Sequence, residues 1–229
     1  MALTVRETRP LTPIRRAIAT RLGASYRDAI HVPLFREAEI EAVLRAERPI
    51  HSSTGARPNF IDFVLKATAL ALVAHPQFNA RLENGQLQLI EEINLGLALD
   101  APKGLVVPVI HGVAALALEE ISKKRRELTE KVLAWKHTMA DLADGTFTIS
   151  NMAALGIDAV APIINPPQVA ILGLGRIRRK LALAEGQVKQ VAVATLCLSF
   201  DHRVVDGAES ARFLSAIATS LERPALAMR

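Results

Sequence analysis

The sequence of 229 residues contains one cysteine, Cys197. A single thiol closes no internal disulfide and has no cysteine partner for a metal site, so a disulfide framework and a cysteine-based zinc site are both excluded. Cys197 is expected to be a buried apolar filler. Aromatic residues are also scarce: Trp135, Tyr26 and seven phenylalanines. The core must therefore be mainly Ala, Leu, Ile and Val. The basic clusters lack the interleaved aromatics of a single-strand stacking surface, and no nucleic acid partner is expected. The apolar runs are interrupted well short of the roughly 18 residues that a membrane-spanning helix needs. No membrane partner is expected. The N-terminus lacks an apolar signal segment before a small-residue cleavage site, which points to the cytoplasm, or to the mitochondrial matrix in a eukaryote.

Half of the residues are apolar, enough to bury a sizeable core in one domain spanning 1–229. The formal charge of +5 is spread over Arg15, Arg16 and Arg21, over Lys123 to Arg126, and over Arg176 to Lys180. Each cluster reads as a solvated face or as an attractor for a phosphorylated ligand or an acidic chain.

Periodicity supplies the elements. Thr12 and Pro13 open a helix through Leu22, with Thr12 as N-cap and Gly23 as a weak stop. A strand begins at His31 to Phe35, and a short acidic helix follows near Glu39 to Glu47. The segment from Ile50 to Pro58 has the composition of a mobile loop. Phe60 to Ala74 is apolar nearly all round and predicts a buried helix, ended by His75-Pro76. Glu83-Asn84-Gly85 between two short β-type runs predicts a hairpin. Further strands are expected at Ile93 to Leu99, Leu105 to Ile110, Thr146 to Ser150, Val169 to Leu174 and Val191 to Phe200. Leu118 to Leu133 predicts an amphipathic surface helix, and Ala208 to Leu221 a last one. Interspersed helices and strands give an α/β architecture, a mixed sheet covered by helices.

Several local patterns carry no chemistry. Gly173-Leu174-Gly175 lacks the third glycine of a dinucleotide fingerprint and has no phosphate-loop Gly-Lys-Ser/Thr after it. His31, His51, His75, His111 and His137 are scattered, and no pair has the spacing of a helical metal site. Ser150 lacks the Gly-x-Ser-x-Gly elbow of a hydrolase but can still donate a hydrogen bond. The exception is Ser199 to Ala208, where an apolar strand runs into Asp201-His202-Arg203-Val204-Val205-Asp206-Gly207. An imidazole four residues before a carboxylate, at the end of a strand, has the makings of a positioned base.

Asp201 to Gly207 closely resembles the signature of the dihydrolipoyl acyltransferases, the core components of 2-oxo acid dehydrogenase complexes. Four more blocks match in the same order: Pro10 to Leu22, Gly96 to Val109, Gly145 to Asn151, and Pro162 to Gln168. The His-x-x-x-Asp-Gly element alone is shared with chloramphenicol acetyltransferase. The resemblance implies a trimeric chloramphenicol acetyltransferase-like fold with the site in a channel between subunits. It implies transfer of an acyl group between a dihydrolipoyl thiol and coenzyme A, with His202 as general base and Ser150 as hydrogen-bond donor to the oxyanion. Asp206 matches the signature carboxylate, which either orients the loop or tunes the histidine. Asn151, Gly175 and Ile177 fall at positions resembling coenzyme A contacts. A homotrimer is expected, with a larger cubic or icosahedral core, and with decarboxylase and dihydrolipoyl dehydrogenase components as partners. No lipoyl or peripheral-subunit-binding domain is recognised, so the lipoyl group is expected from a separate domain or in trans. The Gly156-Ile157-Asp158 variant points to an acetyl or branched-chain acyl group over a succinyl one. Two other readings keep the same fold: a non-catalytic scaffold subunit, and a free-standing acetyltransferase for a hydroxylated small molecule.

Overall fold

The computed structural model describes residues 3–47, 57–184 and 186–226. The expected loop at Ile50 to Pro58 lies mostly outside them. Thr12 starts helix α1 (Pro13–Asp28), its hydroxyl accepting from the Arg15 N–H at 3.3 Å. Gly23 does not stop this helix. A helical glycine costs only about 1 kcal/mol relative to alanine, and the turn beyond it is anchored by buried Ser25, whose hydroxyl donates to the Ile164 carbonyl at 2.7 Å.

The chain continues through β1 (His31–Glu39), α2 (Glu41–Ala46) and α3 (Phe60–Ala74). The span expected for α3 is the one observed, and Asp62 accepts from the Asn59 N–H at its start. The hairpin β2 (Ala80–Glu83) and β3 (Gln86–Leu89) turns through Asn84 and Gly85, both at positive φ, as a primed turn requires. Next come β4 (Leu95–Ala101), β5 (Gly104–Val106) and β6 (Val109–Ile110). The single strand expected at Leu105 to Ile110 is thus broken around Pro108, which has no N–H to give a ladder. Helix α4 (Leu118–Leu133) matches its expected span and is followed by β7 (Phe147–Asn151) and β8 (Ala170–Leu174). Strand β9 (Arg178–Ala184) was not anticipated. It leads to β10 (Gln187–Asp201) and α5 (Gly207–Glu222).

The main sheet has eight strands in the order β1-β10-β8-β7-β4-β5, with β6 on β4 and β9 on β10. It is mixed: β7 runs parallel to β4 and β8, and the remaining pairs are antiparallel. Period-two alternation gives its faces different chemistry. Ala194, Leu196, Leu198 and Phe200 of β10, Phe147 and Ile149 of β7, and Leu95 and Leu97 of β4 join one core with α3 and α5. Phe78 and Phe213 stack in that core with centroids 4.3 Å apart. Helix α4 is tied to α3 by Arg125, which meets buried Asp62 at 2.5 Å. Apart from Ile171 and Val193, the alternate positions in the middle of the sheet are small or polar, among them Gly96, Thr148, Ser150, Gly173, Thr195, Cys197 and Ser199. Burial pushes the Cys197 thiol up to about 11, which suits an inert filler.

Candidate active site

His202 follows the last residue of β10 and begins a turn. Its main-chain N–H donates to the Ile30 carbonyl at 2.9 Å. The preceding residue anchors the turn: the buried Asp201 carboxylate accepts from the Arg203 guanidinium at 2.6 Å, from the Arg203 N–H at 3.0 Å and from the Ile30 N–H at 3.2 Å. Burial pushes the Asp201 carboxyl up, but these donors outweigh it and the net effect holds it below the usual carboxylate range. The His202 side chain stays 41% exposed, tilted against Phe200 at 5.6 Å between centroids. It is therefore held by its backbone and left open to a reactant.

Asp206 is the N-cap of α5, and its own N–H donates to Glu209 at 3.2 Å. Its carboxylate lies 3.8 Å from His202 Nδ1 and is 82% exposed. That separation is too long for a hydrogen bond.

Ser150 and Asn151 sit at the end of β7, next to Gly173 and Leu174 of β8. The Asn151 carbonyl oxygen of the side chain accepts from the Ala153 N–H at 3.0 Å, shaping the turn beyond the strand. Gly175 follows β8, with its N–H bonded to the Thr195 carbonyl. A Cβ there would come within 1.9 Å of the Asp158 carbonyl oxygen, so only glycine lets the segment around residue 158 cross so closely. Ile177 is 38% exposed on the same side. Ser150, Asn151, Gly175 and Ile177 thus share one end of the sheet.

His202 lies at the other end. Ser150 is level with Gly173, and Gly173 with Cys197. Five residues separate Cys197 from His202, so the two groups stand about 16 Å apart along the strands and two strand spacings of ~4.8 Å apart across them. No side chain spans that gap. One chain presents a base at one end of its sheet and a hydroxyl at the other.

The basic run that could have met phosphates is already paired. Arg176 bonds Asp158 at 2.6 Å, Arg178 and Lys180 both pair with Glu37, and Arg179 meets Glu41 at 2.8 Å. These residues mostly belong to β9, whose ion pairs fasten it to β1 and α2. A cavity of about 610 Å³ opens under α1, with Ile14, Ile18, Leu105 and Val107 on its walls and Thr148, Asn165 and Gln168 beneath. Thr148 is two residues before Ser150 and on the same face of β7. Sequence reasoning did not find the Thr148–Gln168 hydrogen bond at 2.7 Å or the Ile30 contacts, because their partners are far apart in the chain. Among the described residues no group of three or more His, Cys, Asp or Glu side chains could hold a metal ion. No described helix is long and apolar enough to cross a membrane.

Residues 4–229 match the family model of the 2-oxoacid dehydrogenases acyltransferase catalytic domain. The chain belongs to this family. It is 33% identical over 95% of its length to the dihydrolipoyllysine-residue acetyltransferase component of the pyruvate dehydrogenase complex of Mycoplasma capricolum, covering 51% of that protein. It is 34% identical over 94% of its length to the succinyltransferase component of the 2-oxoglutarate dehydrogenase complex of Escherichia coli, covering 54% of it. The chain therefore spans about half the length of these relatives. Among solved structures, the dihydrolipoamide acetyltransferase of Azotobacter vinelandii superposes with a TM-score of 0.90 at 33% identity, over 97% of this chain and 94% of that one. The cubic core of a pyruvate dehydrogenase complex gives 0.90 at 32% identity, over 97% of this chain and 94% of that one. Chloramphenicol acetyltransferase, at 0.57 and 14% identity over 92% of this chain and 94% of its own, shares the fold. The acyltransferase fold expected from the sequence is the one observed. In the A. vinelandii enzyme a serine, a histidine and an asparagine were investigated for roles in the catalytic mechanism. The first two are 52 residues apart and the asparagine follows the histidine by four. Ser150 and His202 have the same spacing, and Asp206 stands where that enzyme has asparagine.

Proposed function

We propose that this chain transfers an acyl group from an S-acyl-dihydrolipoyl group to coenzyme A, in a site shared between two copies of itself. The observation that carries the reading is the arrangement of His202 and Ser150, spaced in sequence as in the A. vinelandii enzyme yet placed at opposite ends of one sheet. A neighbouring copy bringing its His202 turn to this chain's Ser150 completes the pair. The cyclic trimer expected from the family resemblance repeats that junction at every interface.

A coenzyme A thiol, with pKa near 8.5, is mostly protonated at neutral pH. A ring nitrogen of His202 takes its proton as the sulfur attacks the thioester carbonyl carbon. The carbonyl π pair moves to oxygen, and the resulting oxyanion accepts a hydrogen bond from the Ser150 hydroxyl. Collapse of the tetrahedral intermediate breaks the bond to the dihydrolipoyl sulfur, which leaves with the proton from His202. The histidine is regenerated and no acyl-enzyme forms. Asn151, Gly175 and Ile177 border the end of the sheet where coenzyme A approaches, while the paired state of Arg176 to Lys180 leaves that run a structural role. The cavity beside Thr148, lined by aliphatic side chains together with Arg21, Arg81, Glu83 and Asp144, suits the acyl-dihydrolipoyl arm, and the Gly156-Ile157-Asp158 variant favours an acetyl or branched acyl chain. The lipoyl group that presents that arm comes from a separate domain or in trans. The complex supplies the decarboxylase and dihydrolipoyl dehydrogenase, and trimers build a larger cubic or icosahedral core.

The test is acyl transfer from acetyl-, isobutyryl- or succinyl-coenzyme A to free dihydrolipoamide, the reverse direction. Transfer with acetyl or isobutyryl preferred, and reduced about 10²- to 10⁴-fold in His202→Ala, is the expected result. A native rate in His202→Ala overturns the base assignment, and a succinyl preference overturns the acyl assignment.

A further inference from the structure

The Ile164 peptide group is held from both sides by the corner between α1 and β1. Its N–H donates to His31 Nε2 at 3.2 Å, and its carbonyl accepts from the Ser25 hydroxyl at 2.7 Å. A backbone N–H can only donate, so Nε2 is the unprotonated nitrogen of the ring. The other nitrogen, Nδ1, faces the Ala29 carbonyl at 3.2 Å, an acceptor, and therefore carries the proton. These two contacts fix a neutral imidazole in one tautomer and one orientation.

The same corner seats the proposed base. The carbonyl of Ile30, one residue before His31, accepts from the His202 N–H, and the Ile30 N–H donates to Asp201. His31 is also the ladder partner of Asp201 between β1 and β10. On its other side, the segment held by His31 leads to Asn165, whose amide donates to Thr148 at 3.3 Å. Upstream, the same segment crosses Gly173 and Gly175. Tyr26 packs 5.6 Å from the imidazole, and the Asp201 carboxylate is turned to Arg203.

We propose that His31 is a positioning residue: as a neutral ring it locks the His202 turn to the segment from residue 157 to 168, and through it to the Ser150 end of the sheet. The inference rests on the roles given above to His202 and Ser150. A chain that supplies its base to one interface and its hydroxyl to another needs these two ends held at a fixed spacing. A misplacement of about 1 Å at the reacting groups costs on the order of 10²-fold in rate.

The experiment compares the native chain with His31→Leu and His31→Gln in transfer to dihydrolipoamide, together with hydrogen exchange at the Ile164 amide. Glutamine offers a carbonyl oxygen where Nε2 accepts; leucine offers none. The leucine variant is expected to lose roughly 10- to 100-fold in kcat, with KM for the acyl-coenzyme A changed less than about threefold. Its Ile164 amide exchanges fast. Glutamine restores most of kcat and the protection. A native kcat in the leucine variant, a loss confined to KM, or a folded glutamine variant no better than leucine overturns the role. If the leucine variant does not fold, His31→Asn, whose shorter side chain falls short of Ile164, replaces it with the same expectations. A native chain with no transfer activity overturns the functional reading and this role with it, whereas an active chain indifferent to His31 overturns this role alone.

Discussion

Asp201 collects three donors from Arg203, its main-chain N–H, Nε and Nη2, and one from Ile30, and His202 adds its own N–H to the Ile30 carbonyl, so the turn is fixed before the imidazole makes a contact of its own. This anchorage has a pH signature. A carboxyl held below its unfolded value adds stability above that value and loses the contribution as pH falls through its folded pKa. Removing the Arg203 side chain takes away the guanidinium donors that help depress Asp201 and leaves only two main-chain N–H groups, of residue 203 and Ile30, against its burial. Arg203→Met should therefore unfold at higher pH than the native chain in an acid titration followed by circular dichroism, with the difference vanishing near neutrality only if the ion pair is unimportant to the fold. Ser150→Ala should keep its fold and lose about 10²- to 10³-fold in kcat, the usual cost of one oxyanion donor; steady-state transfer assays check this. At this scale the sequence was legible where a motif is local. His202, Asp206 and Ser150 could be named from their blocks, but the Ile30 seat and the His31 lock join residues more than a hundred positions apart.

Among the elements, α3 and α4 were readable to the residue because an apolar run or an amphipathic stripe is bounded by acidic capping residues, Asp62 and Glu120. Strand β9 was not, since Arg178, Arg179 and Lys180 look like a solvated cluster until Glu37 and Glu41 are seen opposite them. Gly23 misled because tertiary anchoring through Ser25 outweighs a weak local preference. The glycines after β7 were informative for another reason. A Cβ on Gly173 would meet the Val160 carbonyl oxygen at 2.5 Å, and one on Gly175 the Asp158 carbonyl oxygen at 1.9 Å. Both obstacles are backbone and cannot rotate away. Gly175→Ala is expected to lower stability by roughly 1–3 kcal/mol, the cost of overpacking, measurable as a drop in the thermal unfolding midpoint.

For the whole molecule, the decisive fact is the register that carries Ser150 to Gly173 and Gly173 to Cys197, leaving His202 five residues beyond. The fold class followed from alternating elements, and the family from five ordered blocks. The separation of base and hydroxyl could not be read from composition or spacing, because it depends on which strands are neighbours and in which direction each runs. With the roles proposed for His202 and Ser150, it makes assembly a condition of catalysis. The most direct test is to unfold and refold together equal amounts of His202→Ala and Ser150→Ala chains, each nearly inactive alone, and to assay the mixed trimers. A shared site predicts recovery to roughly a quarter of the native rate, since a quarter of the interfaces then pair an intact histidine with an intact serine. Activity no greater than the sum of the two variants, in trimers shown to contain both chains, would contradict it.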